Sequence, residues 1–429
     1  MRIFAAWIVT ILVSLTATAD ITVINNVTAL TMENDRIISH ATVMVSGDRI
    51  IYVGESSEAP TVHDVVEIID GNGQFLIPGL TEMHGHLPFT SWSDEERERI
   101  LFLYLAGGVT TVRGMLGDPV QFELRDMITA GEIAGPTLYL AAPSLNGNTV
   151  ASPAHGRQLI RQYAAEGWDL QKIHPGLTRA EYDAIAEEAN GLNFPFGGHV
   201  PAEVGLERAM DAGQISMDHM DGYLQMFDGG QREMTDQDFA ALISMTKRSG
   251  TWVVPTQELF NLLIGGGDIE TLSARPENQY ITPEQLRRYR ERAQQANNNA
   301  NSLAVENRQR LLKALADAGV NIALGSDAPQ LFSVPGFSIW REIEVMKAAG
   351  LSDKQILNIG TQAPGRYFAD KDSFGTISEG SRADLILLNA NPYDGIEAVF
   401  DQVGVMAAGR WFNRAEIDAR LNQITADVR

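Results

Sequence analysis

The chain has 429 residues, of which 44% are hydrophobic and 21% are charged, the composition of an ordinary globular protein. Its 33 basic and 55 acidic residues give a formal net charge of −22. This balance excludes nucleic-acid binding and docking on an anionic membrane as functions, because both depend on an excess of Lys and Arg. The sequence contains no Cys, which excludes disulfides, thiolate metal ligands and a cysteine nucleophile.

The first nineteen residues have the pattern of an export signal. Arg2 precedes an apolar run over 3–15, and Ala17 and Ala19 place small residues where a signal peptidase cleaves. The run is shorter than the roughly 20 residues that span a bilayer as a helix. We therefore expect cleavage near Ala19 and an exported, periplasmic or secreted mature chain without a membrane anchor. A buried N-terminal strand or helix is the alternative.

Two strand-rich segments lie near the two ends of the chain. Runs of β-branched residues broken by Gly, Asn and Asp occupy 20–79, and the same texture returns at 371–414. Two such segments around one large middle most simply pair with each other. The sequence therefore predicts one small β-sandwich domain built from both chain ends, followed by a C-terminal helix over 415–429.

The middle of the chain, 80–370, alternates apolar runs with amphipathic helical stretches, which is typical of parallel βα units. The eight runs are LTEMHGH, VTTVRGM, TLYLAAP, DLQKIHP, FPFGGHV, ISMDHM, TWVVPT and VNIALGSD. Eight units predict an α/β fold with a (β/α)8 TIM-like barrel, and a doubly wound open sheet is the alternative. We expect 259–283 to be an irregular excursion that acts as a lid.

Polar residues stand at the ends of these runs, where a barrel of this kind carries its chemistry. His84 and His86 are two residues apart on the first run, so both imidazoles point to the same side of the strand. His199, His219 and Asp327 end the fifth, sixth and eighth runs. Imidazoles together with a carboxylate suit a zinc-like ion in a hydrolytic site. A single such histidine is more often a core residue, but the joint pattern predicts a metal centre.

Lys172 ends the fourth run and is the first of only six lysines. An ammonium group cannot bind a cation, but burial would lower its pKa and leave a neutral amine. That amine can react with carbon dioxide to give a carbamate, a carboxylate-like group able to bridge two metal ions. An ion pair with Asp169 or another nearby carboxylate is the alternative.

The segments FLIPGLTEMHGHL, GVTTVR and GTISEGSRADLILLNANP, with the later Lys, His, His and GSD, resemble the metal-dependent amidohydrolase superfamily. Within it the chain is most similar to the branch of imidazolonepropionases and secreted Xaa-Pro dipeptidases. The resemblance implies two divalent ions, most simply zinc. Their implied ligands are His84, His86 and Asp327 for one ion, His199 and His219 for the other, and carboxylated Lys172 between them. Members without the carbamate use one ion, and His219 would then act on the substrate.

The activity that the resemblance implies is hydrolysis of an amide bond in a small-molecule substrate, a dipeptide or an N-acyl amino acid. A metal-bridging hydroxide would attack the carbonyl, with Asp327 as the catalytic base and then acid. Hydrolysis of a lactone, carbamate or organophosphate ester at the same site is the alternative. A more remote alternative is a non-catalytic binding protein with this fold. A homo-oligomer is compatible with each of these functions.

Three further residues are expected to contact the substrate. Tyr223, four residues after His219, could donate a hydrogen bond to the oxyanion. His174 shares a strand face with Lys172, and His155 follows the third run. Arg113 ends the second run and has two interpretations, a contact to a substrate carboxylate or a buried ion pair, of which the ion pair is favoured.

Overall fold

A computed structural model describes residues 20–429, so the predicted export signal lies outside the described residues. The N-terminal segment forms only strands and turns around one short 3-10 helix, because its β-branched runs are interrupted by Gly, Asn and Asp. The strands are β1 (Ile21–Leu30), β2 (Ile37–Ser46), β3 (Arg49–Glu55), β4 (Val65–Asp70) and β5 (Phe75–Pro78).

The middle segment alternates short, fully or largely buried strands with helices. Its strands are β6 (Leu80–Gly85), β7 (Val109–Gly114), β8 (Thr137–Leu140), β9 (Gln171–Ile173), β10 (Phe196–Gly198), β11 (Ser216–Asp218) and β12 (Trp252–Val254). The helices before β12 are α1 (Asp94–Ala106), α2 (Val120–Thr129), α3 (Pro153–Glu166), α4 (Arg179–Gly191), α5 (Leu206–Asp211) and α6 (Asp236–Ser249). Those after it are α7 (Gln257–Gly265), α8 (Ile269–Ser273), α9 (Pro283–Asn297), α10 (Ser302–Asp317), α11 (Phe337–Ala348), α12 (Asp353–Gly360) and α13 (Gln362–Tyr367).

The C-terminal segment returns to the first strands. It forms β13 (Leu385–Leu388), β14 (Gln402–Ala407), β15 (Arg410–Asn413) and α14 (Arg414–Asp427). The strands of both chain ends join in one eight-stranded sheet in the order β15-β14-β13-β5-β1-β2-β3, with β4 also paired to β1. The strands of the predicted sandwich are thus hydrogen-bonded to one another in one branched sheet, and the sandwich domain itself stays a prediction. The branch is possible because β1 shifts register after Ile24, so that β4 pairs with its first half and β5 with its end.

Seven of the eight predicted runs form strands in two parallel sheets, β6-β7-β8 and β9-β10-β11-β12. The predicted closed eight-stranded barrel is not seen as one continuous sheet. The continuity is interrupted at two places. Strand β8 forms no ladder with β9, and the chain there pairs only through the bridges between Ala141 and Leu170 and between Leu145 and Ile173. The eighth run, 320–327, forms no strand within the described residues. The eighth run still contacts both sheets: Ile322 bridges to Val253 on β12, and Met83 on β6 donates its N–H to the Leu324 carbonyl.

The segment 259–283, expected to be irregular, is helical for much of its length. It contains most of α7 and all of α8, and α9 begins at its end. Helix α7 ends at Gly266, whose φ of +72° is a backbone conformation that glycine adopts without strain. Leu259, Leu262, Leu272, Ala293, Leu331 and Phe332 form an apolar cluster of their own. This excursion is thus a packed layer beside the chain that follows Asp327.

Glu342 joins helix α11 to the first turn of α7. Its carboxylate oxygens accept hydrogen bonds from the backbone N–H groups of Gln257 (2.7 Å) and Glu258 (2.8 Å). These are donors that a helix N-terminus leaves without partners inside the helix. Burial raises the pKa of Glu342 to about 8, against the effect of the two hydrogen bonds.

None of the described helices is long and apolar enough to cross a membrane.

The raised pKa of Glu342 predicts a pH-dependent stability. The pKa of Glu342 is about 8 in the folded chain, against an ordinary value of 4.5. The contribution of this carboxyl group to the free energy of unfolding is therefore fully present below pH 4.5 and is lost as pH rises through 8. The Glu342→Gln variant lacks this titration. The free energy of unfolding, measured with urea, should therefore change in favour of the variant. The difference between Glu342→Gln and wild type should increase by about 1 kcal/mol or more from pH 5 to pH 8.

The matched control is Glu344→Gln, which changes an exposed carboxylate of the same helix. Its difference from wild type should vary little over this pH range. A Glu342→Gln difference that stays constant, or that grows in favour of wild type as pH rises, contradicts the assignment.

Candidate metal centre

The structure brings His84, His86 and Asp327 together at the end of β6. One ligand atom from each lies within 4.8 Å of the others. His86 Nε2 is 2.6 Å from Asp327 Oδ1, and His84 Nε2 is 3.7 Å from the same oxygen. The backbone N–H of Asp327 donates to the His84 carbonyl at 2.7 Å, which fixes the GSD segment beside β6. These three donors can converge on a common cation.

Lys172, on β9, is completely buried, and its Nζ lies 3.0 Å from His84 Nε2. Burial lowers the pKa of Lys172 to about 8, although Asp218 and Asp327 favour its charged form. The alternative of an ion pair with Asp169 is not what the structure shows, because Asp169 pairs with Arg125 and Lys371. Lys172 is thus an amine that loses its proton more readily than an exposed lysine.

His219 and His199 complete the group of imidazoles. The His219 ring centroid lies 4.4 Å from that of His84 and 4.3 Å from that of His199. His219 Nδ1 is 2.8 Å from the Thr256 hydroxyl, and His199 Nδ1 is 2.6 Å from Asp221 Oδ2. The other ring nitrogen of His219, Nε2, is buried and has no hydrogen-bond partner in the part of the chain that the structure describes. A buried polar atom in this state is costly unless it binds something.

The buried histidines are neutral. The pKa values of His84 and His219 lie well below the ordinary value, first because burial penalises the imidazolium. Positive charge on Lys172 lowers both further. Neutral imidazole is the form that binds metal ions.

Asp218 lies beneath this cluster and was missed by the sequence analysis. Its Oδ2 is 2.7 Å from His84 Nδ1, and both of its oxygens accept from Arg113 Nη2 at 3.1 to 3.2 Å. Burial would raise the pKa of Asp218, but Arg113 and Lys172 outweigh it and hold the pKa below the ordinary value. An ionised Asp218 accepts a hydrogen bond from His84 Nδ1–H, which leaves the lone pair of His84 on Nε2, the atom that faces Lys172 and Asp327.

Arg113 forms a buried ion pair with Asp218, which is the interpretation that the sequence favoured. It is fully buried and also donates to the Met83 carbonyl (2.5 Å), Ser216 Oγ (3.0 Å) and the Tyr367 hydroxyl (3.0 Å). Such a side chain is not accessible to a substrate carboxylate. The sequence gives one signal for the pair of Arg113 and Asp218. Each is a charged residue within an apolar run, VTTVRGM for Arg113 and ISMDHM for Asp218.

Glu82 is a second residue that the sequence analysis missed. Its Oε1 accepts from the backbone N–H groups of His84 and Ser326, both at 2.9 Å, and its Oε2 accepts from the Ser326 hydroxyl. Burial raises the pKa of Glu82 to about 7, although these hydrogen bonds oppose the rise. Glu82 therefore ties the strand that carries the two histidines to the segment that carries Asp327.

The three predicted substrate residues lie in different environments. The prediction for Tyr223 is wrong. Its buried hydroxyl forms a hydrogen bond with Thr246 Oγ1 on α6 at 3.0 Å and does not reach the cluster. His155 lies in the first turn of α3, where its Nδ1 accepts from the Ala151 N–H at 3.2 Å. His174 lies beside the cluster, with its ring centroid 4.8 Å from that of His199. Burial and the charge on Lys172 lower the pKa of His174 to about 2.

Residues 75–412 match the amidohydrolase family. The chain belongs to this family. The imidazolonepropionase of Streptomyces coelicolor is 32% identical over 145 residues, which are 32% of this chain and 34% of that protein. The chain thus matches about a third of the length of this curated relative. The resemblance inferred from the sequence is confirmed.

Solved structures show the same fold in other amidohydrolases. A Xaa-Pro dipeptidase with bound methionine superposes with a TM-score of 0.69 at 21% identity, over 92% of this chain and 100% of that one. Bottromycin amidohydrolase superposes with a TM-score of 0.75 at 20% identity, over 95% of this chain and 90% of that one.

The contact between Asp218 and His84 gives a test of the centre in this amidohydrolase. In Asp218→Asn the side chain no longer carries the charge that orients His84 and neutralises Arg113. We expect the affinity for zinc, measured by competition with a chelator, to fall by about 10- to 100-fold.

The control is Asp211→Asn, an exposed carboxylate at the end of α5, whose zinc affinity should equal that of wild type. Circular dichroism checks that both variants are folded before the titration. Wild-type affinity in a folded Asp218→Asn variant would show that Asp218 does not position His84.

Proposed function

We propose that this protein is a metal-dependent hydrolase of amide bonds, with dipeptides or N-acyl amino acids as substrates. The observation that carries the proposal is the meeting of four imidazoles, a buried amine and Asp327 at the carboxyl ends of parallel strands. Membership of the amidohydrolase family and the likeness to a Xaa-Pro dipeptidase support it. The predicted export signal fits a substrate met outside the cytoplasm.

The residues present fit a pair of divalent ions, most simply zinc. His84, His86 and Asp327 would hold one ion, His199 and His219 the other, and carboxylated Lys172 both. The donors are nitrogen and oxygen atoms, which suit zinc. The separation of 3.7 Å between His84 Nε2 and Asp327 Oδ1 is too long for a hydrogen bond, and His219 Nε2 lacks a partner among the described residues. When bound, such ions would lower the pKa of water and polarise a carbonyl group.

The bridging role of Lys172 requires one covalent step. The neutral amine forms a bond to the carbon of carbon dioxide and releases a proton, which gives a carbamate with one negative charge. The lowered pKa of Lys172 supports this step because it makes the neutral amine more abundant at neutral pH.

Asp327 would carry the protons of the reaction. Its Oδ1 lies 2.6 Å from His86 Nε2, and its backbone is fixed by the hydrogen bond to the His84 carbonyl. It would accept a proton from the attacking water and transfer it to the leaving nitrogen of the amide. The proton then leaves with the product amine, and Asp327 is ready for another turnover.

The architecture that would support this chemistry is a single (β/α)8 barrel over 80–370. We propose that the two parallel sheets and the eighth run are its parts. The bridge between Ala141 and Leu170 supports this on one side, and the contacts of Ile322 and Leu324 support it on the other. Segments 20–79 and 371–414 would then form a separate small domain, with 415–429 as the terminal helix.

The proposed function is tested by metal analysis and a substrate panel. Wild type should bind about two equivalents of zinc and hydrolyse members of a panel of Xaa-Pro and Xaa-Arg dipeptides and N-acyl amino acids. Lys172→Ala should bind one equivalent or none and lose about 100-fold or more in kcat, because the loss of an ion removes several kcal/mol of stabilisation from the transition state.

Lys371→Ala is the control, because this lysine lies outside the cluster and pairs with Asp169. It should keep wild-type zinc content and activity. Unchanged zinc content in Lys172→Ala would refute the bridging lysine. Hydrolysis of lactones or phosphotriesters in a parallel panel, without hydrolysis of amides, would assign the protein to a different reaction.

A further inference from the structure

We propose that His174 is a catalytic hydrogen-bond donor to the substrate carbonyl oxygen, and that Ser144 and Asn146 fix the direction in which it donates. This inference rests on the amide hydrolysis proposed above. It assigns a role to a histidine outside the proposed set of metal ligands, and it assigns positioning roles to two residues of the loop after β8.

His174 lies beside the metal cluster, with its ring centroid 4.8 Å from that of His199. It is two residues beyond Lys172 along an extended segment, so the two side chains project in the same direction. The imidazole planes of His174 and His199 are inclined by 30°. The ring is only partly buried, and its Nε2 makes no hydrogen bond within residues 20–429. That nitrogen is therefore available to a ligand.

The loop after β8 is fastened along the end of β9. The Leu145 N–H donates to the Lys172 carbonyl at 3.0 Å, and the His174 N–H donates to the Leu145 carbonyl at 2.9 Å. These two bonds place Ser144 beside the imidazole, with its Oγ at 2.6 Å from His174 Nδ1. The side-chain contact is thus supported by a rigid backbone pairing.

Asn146 favours one direction for this contact. Its Oδ1 accepts from the backbone N–H groups of Asn148 (2.8 Å) and Thr149 (3.2 Å), which identifies the oxygen of the amide. The amide nitrogen then faces Ser144 Oγ at 3.1 Å and donates to it. Within the described residues, the Ser144 hydroxyl hydrogen has His174 Nδ1 as its acceptor. A Ser144 hydroxyl that donates to this acceptor leaves the imidazole proton on Nε2, which is the tautomer we assign.

An imidazole in this state is a donor and not a metal ligand. Its Nδ1 lone pair is used by Ser144, and its Nε2 lone pair is absent because that atom carries the proton. A fixed N–H aimed at a carbonyl oxygen strengthens its interaction as the oxygen becomes an oxyanion.

The sharpest test is the isosteric change Asn146→Asp. The carboxylate keeps an acceptor for the two backbone N–H groups, but it replaces the amide donor by an acceptor. The Ser144 hydroxyl should then donate to the introduced carboxylate, and the imidazole proton should move to Nδ1. We expect kcat for an amide substrate to fall about 100-fold, the cost of losing one oxyanion donor, with zinc content unchanged.

Two readouts separate this role from a structural one. Nitrogen-15 NMR of the histidine-labelled, zinc-loaded protein should show His174 protonated at Nε2 in wild type and at Nδ1 in Asn146→Asp. Gln has an amide nitrogen near the position of Nε2, so His174→Gln should keep more activity than His174→Phe. The control His63→Gln changes an exposed histidine of the loop before β4 and should behave as wild type.

Each other result overturns the inference. A proton on Nδ1 in wild type refutes the direction of the hydrogen bonds. A rise in KM with unchanged kcat in the His174 variants assigns the ring to a part of the substrate away from the reacting carbonyl. Wild-type kcat in Asn146→Asp, with active wild type, refutes the inference alone, whereas wild type that hydrolyses no amide refutes the proposed function as well.

Discussion

The site depends on the buried ion pair between Arg113 and Asp218. Both side chains are fully buried, so each charge would be very costly without the other. The pair also ties three strands together, because Arg113 on β7 donates to the carbonyl of Met83 on β6 and Asp218 lies on β11. Asp218 in turn orients His84. The position of the imidazole at the centre of the cluster is thus fixed by a charge pair beneath it.

A second buried carboxylate fixes the other side of the cluster. Glu82 accepts hydrogen bonds from the backbone N–H groups of both His84 and Ser326, and it thereby holds Asp327 next to β6. Asp218 and Glu82 differ in their surroundings. Arg113 keeps Asp218 ionised, whereas Glu82 has only neutral donors and its pKa is raised. Asp218 therefore supplies a negative charge next to His84, whereas Glu82 holds the backbone segments of His84 and Ser326 in place.

Much of the site could be predicted because parallel strands end at the same edge. This rule is enough to bring His84, His86 and Asp327 together from residues far apart in the chain. It does not describe the chain after a strand ends. His219 and Met220 have φ values of +63° and +54°, and this turn allows Asp218 and His219 both to face the cluster while Tyr223 is carried toward α6. Periodicity cannot show such a turn.

The errors in the fold have a similar origin. The composition of β1 indicates a strand but not that it pairs with two different parallel neighbours. The apolar run 320–327 indicates a strand but not that its backbone bonds to β6 and β12 without forming a continuous ladder with either strand. Both features depend on register and long-range hydrogen bonds, which residue types alone do not determine.

The central claim is that this cluster binds a pair of metal ions joined by a modified lysine. The most direct measurement is a crystal structure of the zinc-loaded protein with anomalous data at the zinc edge. The account predicts two anomalous peaks, one among His84, His86 and Asp327 and one at His199 and His219, with carbamate density on Lys172 Nζ. Absence of zinc from these residues would contradict the account, and an unmodified Lys172 between two ions would contradict the carbamate.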